Sequence, residues 1–321
     1  MRQLAEQFLD LAGKQGDMVP LMVAHRMMGT TLLNIGDLVQ SRKQFDRALN
    51  LFDPATHRPV TTRFGSDHRM SVWSNRSLAL WLLGYAEAAV ADSDNALSDA
   101  RKLGQDASLM YALLHGSLLH ILCRDYVSAR TITDELVTLA EAKGSLFWRA
   151  HGILVRGQLL ALTKSPEDAV PSLTAGITAW RTTGSTLWLP MHLSSLASAY
   201  AELRRLDEAW QCISEATSAI GETGEGLYEA EVNRVAGEIA LRQRDELKAR
   251  AYFERALAIA RSQQSKSWEL RAAMSMARLW RDQGKRDEAR ELLTPVYGWF
   301  TEGFDTLDLK EAKALLQELA A

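Results

Sequence analysis

Apolar residues recur at i, i+3, i+4 and i+7 along nearly the whole chain, broken by short polar stretches, and no segment shows the strict alternation of a half-buried strand. The pattern predicts helices throughout. It also repeats. Alanines stand at Ala89, Ala129, Ala169, Ala209, Ala249 and Ala289, each forty residues after the last, and twelve residues before each the side chain is again small: Ser77, Ser117, Gly157, Ala197, Gly237 and Ala277. Two such rows predict a helix hairpin per unit, because a small residue on each of two antiparallel helices lets the backbones approach while larger neighbours fill the groove. Those neighbours are present at helical spacing. Leu80, Leu160, Tyr200 and Trp280 come three residues after the first small position, and Leu173, Ile213, Phe253 and Leu293 four residues after the alanine.

A third row marks the joints between hairpins: Gly104, Gly144, Gly184 and Gly224, with Gln264 in the last place. Glycine just past a helix is the expected left-handed stop. Trp148, Trp188, Tyr228 and Trp268 then open the next helices, so the near-repeats GSLFW and GSTLW are predicted hinges whose tryptophans pack back over the joint. A first unit fits with Gly29, Leu32, Gly36, Ser41, Phe45 and Ala48 in equivalent places. From Ser41 to Ala89 is forty-eight residues, and the extra eight fall in the polar stretch 53–70.

Gly29 and Leu32 in one helix, Ala48 near the end of the next and Pro54 just after it resemble the tetratricopeptide repeat, stretched from its usual length of about 34 residues. The resemblance covers residues 22 to about 300. It implies an all-α, right-handed superhelix of helix-turn-helix units. LALWLLGY, SWELRAAMSMARLWRDQGKR and PVYGWFTEGFDTLDLKEAKALL are further similar to the C-terminal solenoid of bacterial signalling proteins that carry a class III adenylyl or guanylyl cyclase domain and an ATPase module ahead of their repeats. That resemblance implies a sensor or protein-interaction role in signal transduction, without catalysis in these residues, and cyclase and ATPase domains as missing N-terminal partners.

The expected organisation is a single solenoid over 1–321: residues 1–14 as the second helix of a unit whose first helix is absent, seven helix pairs over 22–300, and a capping helix over 305–321. Leu4, Phe8 and Leu11 share one face of the first segment. Such a half-unit exposes apolar surface, which suggests a larger parent protein or a covering partner, with a frayed helix as the alternative. In the last segment Asp308 and Glu311 have cap spacing, and Ala312, Leu315 and Leu319 share a face.

Composition narrows the function further. Lys and Arg total 37 against 40 Asp and Glu, a net charge of −3, which offers no electrostatic footprint for nucleic acid or a membrane surface. The two cysteines, Cys123 and Cys212, sit in apolar helical stretches and build neither a disulfide framework nor a paired zinc site. With no leader-like or spanning stretch, a cytoplasmic location is expected.

Motifs with chemistry dissolve on inspection. GILVRG at 152–157 is followed by Gln158 and Leu159 where a phosphate loop needs Lys and Ser or Thr, and GETGEG at 221–226 has its glycines in the wrong order for a dinucleotide loop. No HExxH and no GxSxG elbow occurs. The expectation is no active site, no cofactor and no metal.

What remains is the inner wall of the superhelix, where an extended or helical peptide or a protein partner would lie. Its predicted lining is Arg26, Asn75, Tyr111, His115, His151, Gln158, Ser194, Ser195, Arg234, Glu238, Arg271 and Arg278, a continuous groove. The inserted segment, with His57, Arg58, Arg63, His68 and Arg69, is a second candidate, for an anionic partner.

Overall fold

The computed structural model describes residues 2–53, 67–163 and 165–320. Among them are sixteen helices and no strand. A lone helix α1 (Arg2–Gln15) precedes seven antiparallel pairs: α2 (Met18–Ile35) with α3 (Leu38–Asn50), α4 (His68–Leu82) with α5 (Ala86–Leu103), α6 (Asp106–Leu122) with α7 (Tyr126–Ala142), and α8 (Leu146–Leu162) with α9 (Pro166–Thr182). Then come α10 (Leu189–Glu202) with α11 (Leu206–Thr223), α12 (Glu229–Arg242) with α13 (Glu246–Ser262), and α14 (Lys266–Asp282) with α15 (Arg286–Tyr297), before a final α16 (Leu307–Ala320).

The small-residue rows sit at the helix crossings. Ser41 and all six lattice alanines have no exposed surface. A Cβ built on Gly29 would come within 2.6 Å of Phe45, one on Gly157 within 2.7 Å of Leu173, and one on Gly237 within 2.4 Å of Phe253. These partners lie sixteen residues on in every case, so the same contact recurs in the first, fourth and sixth pairs. In the first pair Ser41 also donates its hydroxyl to the carbonyl of Gly29 at 2.8 Å.

The joints behave as their sequence predicts. Gly104, Gly144, Gly184, Gly224 and Gln264 all have φ between 56° and 76°. A second row of left-handed residues, not visible as a glycine pattern, makes the turn inside six of the seven pairs: Gly36, Gly84, Arg124, Arg204, Arg244 and Gly284. At three of these turns the next residue is an aspartate that caps the second helix, Asp37 accepting from Gln40 N, Asp125 from Ser128 N and Asp245 from Lys248 N.

The stack curves far enough to meet itself. The carboxyl ends of α2, α4 and α6 lie against the joints and first helices of later units. Leu227 N donates to Asn34 O at 3.1 Å, Trp188 Nε1 to Asn34 Oδ1 at 3.3 Å, Ser265 Oγ to Leu82 O at 3.3 Å and Ser267 Oγ to Trp81 O. Arg271 donates to Leu122 O at 2.7 Å. The expectation that the tryptophans pack over their own joints holds for Trp148, which meets Phe147, and is corrected for two others. Trp188 and Trp268 reach across to the previous superhelical turn, where Trp268 meets Trp81 edge to face at 4.9 Å between centroids.

The last helix differs from expectation too. Its apolar face docks, with Ala312, Leu315 and Leu319 buried, but Asp308 and Glu311 form no capping box. Asp308 accepts from Arg271 and Arg124, and Glu311 pairs with Arg124 and Arg278, so the helix is clamped to the third and seventh pairs by charge.

Gly237→Leu or Ala209→Trp forces bulk into a crossing with no room to shift, and each is expected to cost about 1 to 3 kcal/mol or more. Urea denaturation checks this, and an unchanged midpoint for either variant would contradict the crossing geometry.

Candidate functional site

Closure of the superhelix splits the predicted groove in two. On one side Trp188, only 4% exposed, fills the bore. Its ring meets His115 at 5.4 Å and His151 at 5.9 Å. Around it Asn75, His115 and His151 are buried, and the Asn75 amide donates to Tyr111 Oη at 2.6 Å. These residues, predicted as groove lining, are core. Arg26 is half-buried beside Tyr111 and its Nε has no hydrogen-bond partner.

On the other side an open cavity of about 830 Å³ remains, lined by the first helices of the third to seventh pairs and by α16. Here the predicted Gln158, Ser194, Ser195, Arg234, Arg271 and Arg278 do come together. Glu238 lies just outside, accepting from Ser275 at 2.7 Å, and lines a shallower hollow with Arg204, Arg242 and Arg244. The apolar floor of Met191, Met274, Tyr228 and Trp268 escaped the sequence reading, as did the rim of Arg124, Glu231, Asp308 and Glu311. Arg124 had a signal, since it falls on the forty-residue row of left-handed turns.

The charges of the cavity are balanced within it. Arg234 makes two 2.8 Å bonds to the carboxylate of Glu231. Burial works against its charge, but Glu231 and Glu238 outweigh that and raise its pKa. Arg124, Arg271 and Arg278 are each paired with Asp308 or Glu311. An incoming anion would have to displace a resident carboxylate, so the site favours neutral polar and apolar groups. Ser194, Ser195, Ser198 and Ser275 supply hydroxyls. Gln158 donates to Ser195 Oγ at 3.3 Å while its Oε1 is buried without a partner.

The inserted segment does not make a second site of the expected kind. His57, Arg58 and Arg63 lie outside the described residues. His68 and Arg69 belong to the first turn of α4, His68 is buried, and Arg69 pairs with Asp99 at 2.8 Å while stacking on Phe52 and Trp73.

Neither cysteine is poised as a nucleophile. Burial pushes the Cys123 thiol to about 12 and that of Cys212 to about 11, so neither is a thiolate near neutrality. Among the described residues no cluster of three or more His, Cys, Asp or Glu is placed to hold a metal, and no helix is long and apolar enough to cross a membrane.

No family model and no curated protein sequence matches the chain. Solved structures do. The apo form of RapI matches with a TM-score of 0.55 at 11% identity, over 92% of this chain and 99% of that one. A Rap protein complexed with competence and sporulation factor gives 0.54 at 9%, over 93% and 97%. A signal transduction ATPase with numerous domains from Pyrococcus horikoshii, which has a tetratricopeptide repeat sensor, gives 0.54 at 14%, over 87% of this chain and 43% of that one. At such identities the likeness is one of fold, and the chain is a tetratricopeptide-like right-handed α-solenoid.

Burial lowers the imidazole pKa of His115 to about 4 and of His192 to about 3. It takes His151 well below the usual range, helped by His192 and His115 nearby. The unfolded chain binds protons at these sites below about pH 6.5 and the folded chain does not, so their contribution to stability falls on acidification from about 6.5 toward 4. Glu225, raised by burial to about 7, acts in the opposite sense: its neutral form favours the folded chain at low pH. His192→Leu is expected to raise stability more at pH 5 than at pH 7, since neither ring nitrogen has a partner to lose. Denaturant midpoints at the two pH values check this, and an equal or opposite change would refute the assignment.

Proposed function

We propose that this chain is a non-catalytic regulatory or protein-interaction solenoid whose cavity receives an extended peptide segment of a partner protein. The observation that carries the reading is the lining itself. An extended peptide presents backbone N–H and C=O groups on its edges and side chains to alternate faces. The cavity answers with serine oxygens that can accept, their hydrogens being donated within the protein, and a floor of Met191, Met274, Tyr228 and Trp268, while its arginines are already neutralised. The match to a Rap protein complexed with competence and sporulation factor supports the reading.

A second reading shares the same surface. The match to an ATPase carrying a tetratricopeptide sensor, of which the chain spans less than half, supports a role as the sensor part of a larger signalling protein with cyclase or ATPase domains. Action in the bacterial cytoplasm fits both readings.

Selection from a displayed library of random peptides tests the proposal. Selected peptides are expected to bind the purified chain and to lose about tenfold or more in affinity to Ser198→Trp, which fills the cavity from its wall. Equal binding to the variant places the ligand elsewhere. ATP hydrolysis or cyclic nucleotide synthesis by the purified chain would overturn the non-catalytic assignment.

A further inference from the structure

The turns inside the helix pairs hold arginine at three places where Gly36, Gly84 and Gly284 carry no side chain. A side chain in the left-handed region meets a steric cost that glycine avoids. For Arg124 the tertiary structure shows what the side chain does there, since its guanidinium holds Asp308 and Glu311 of α16. Arg204 and Arg244, with φ of 62° and 61°, have no such task. Both are exposed. The carboxylates around them are engaged elsewhere: Glu202 by Arg242, Glu208 by Arg205, Glu238 by Arg234 and Ser275, and Asp245 by the amide of Lys248. Among the described residues neither guanidinium is paired.

The two arginines meet in one place, the open hollow of about 360 Å³ that they line with Glu238, Leu241 and Arg242. Arg242 is matched by Glu202, and Glu238 by Arg234, so two positive charges are left over. The carboxyl ends of α10 and α12 offset about half a charge each. A net of about one positive charge remains, enough for one carboxylate and too little for a phosphate, which carries about 1.5 to 2 negative charges. Because α10 and α12 pack directly on each other, with axes about 8 to 10 Å apart, both guanidiniums can reach one carboxylate.

The hollow also adjoins the cavity. Glu202, which lines the cavity, pairs with Arg242 of the hollow, and Glu238 of the hollow bonds to Ser275 and Arg234 of the cavity. Inside the cavity an anion must displace a resident carboxylate. In the hollow it displaces nothing.

We propose that the hollow seats an aspartate or glutamate side chain of a peptide between Arg204 and Arg244. The neutral remainder of that peptide lies in the cavity, a placement that rests on the peptide reading of the cavity.

Fluorescein-labelled tetraglutamate amide, titrated by anisotropy against the full chain at low salt, is expected to bind saturably, and tetraglutamine amide is not. The double variant Arg204→Gln/Arg244→Gln is expected to weaken tetraglutamate about tenfold or more. Arg130→Gln/Arg149→Gln removes the same charge from exposed positions elsewhere and is expected to leave binding unchanged. Circular dichroism checks that every variant keeps the fold. No saturable binding, or equal weakening by the two double variants, overturns the proposal. Library-selected peptides separate it from the cavity reading. Peptides that lose affinity to Ser198→Trp but not to Arg204→Gln/Arg244→Gln leave the cavity reading standing and overturn the acidic seat. Tetraglutamate held by the two arginines, while no selected peptide responds to Ser198→Trp, leaves the acidic seat standing and overturns the cavity reading alone.

Discussion

Close approach of two helix backbones, permitted only where both carry small side chains, is the constraint on which this molecule rests. At Gly29, Gly157 and Gly237 there is no space for even a methyl group, because Phe45, Leu173 and Phe253 occupy it. Repeating that crossing at a constant interval gives every hairpin nearly the same tilt against the next. Equal tilts add up to a curve of fixed pitch. Seven pairs are enough to bring the chain round until the carboxyl ends of its early helices lie beneath the joints of its late ones. The contacts between turns are thus a consequence of the hairpin geometry, sharpened by Trp188 and Arg271, which hydrogen-bond to the ends they meet, and by Trp268, whose ring lies edge to face with Trp81.

Closure then decides which part of the inner wall can work. Where the turns overlap, the bore fills with aromatic rings and neutral imidazoles and becomes core. Where they diverge, a cavity survives between the later first helices and α16. Its arginines spend their charge on Glu231, Asp308 and Glu311, which holds the last helix in place and leaves the interior polar without being strongly charged. This lining is why the proposed ligand is a peptide backbone read by outline and hydrogen-bonding edge more than by charge. The same ion pairs join the cavity rim to α16.

The sequence by itself determined the hairpin. The alanine and glycine rows, the left-handed joints and the helical phase of the large residues are local requirements of backbone and Cβ geometry, and they appear in the chain as residue types at an interval. Even Gln264, with no glycine to announce it, was placed in the left-handed joint row by spacing alone. Turns inside the pairs were harder to see, because Arg124, Arg204 and Arg244 adopt a conformation that glycine usually signals. What only the tertiary structure decided is the exposure of the inner wall. Gln158 and His151 stand two turns apart on one face of α8 and look equally able to line a groove, yet one reaches the cavity and the other lies under Trp188. That difference depends on superhelical pitch, a sum of small angles over many crossings, and no single residue type at any position encodes it.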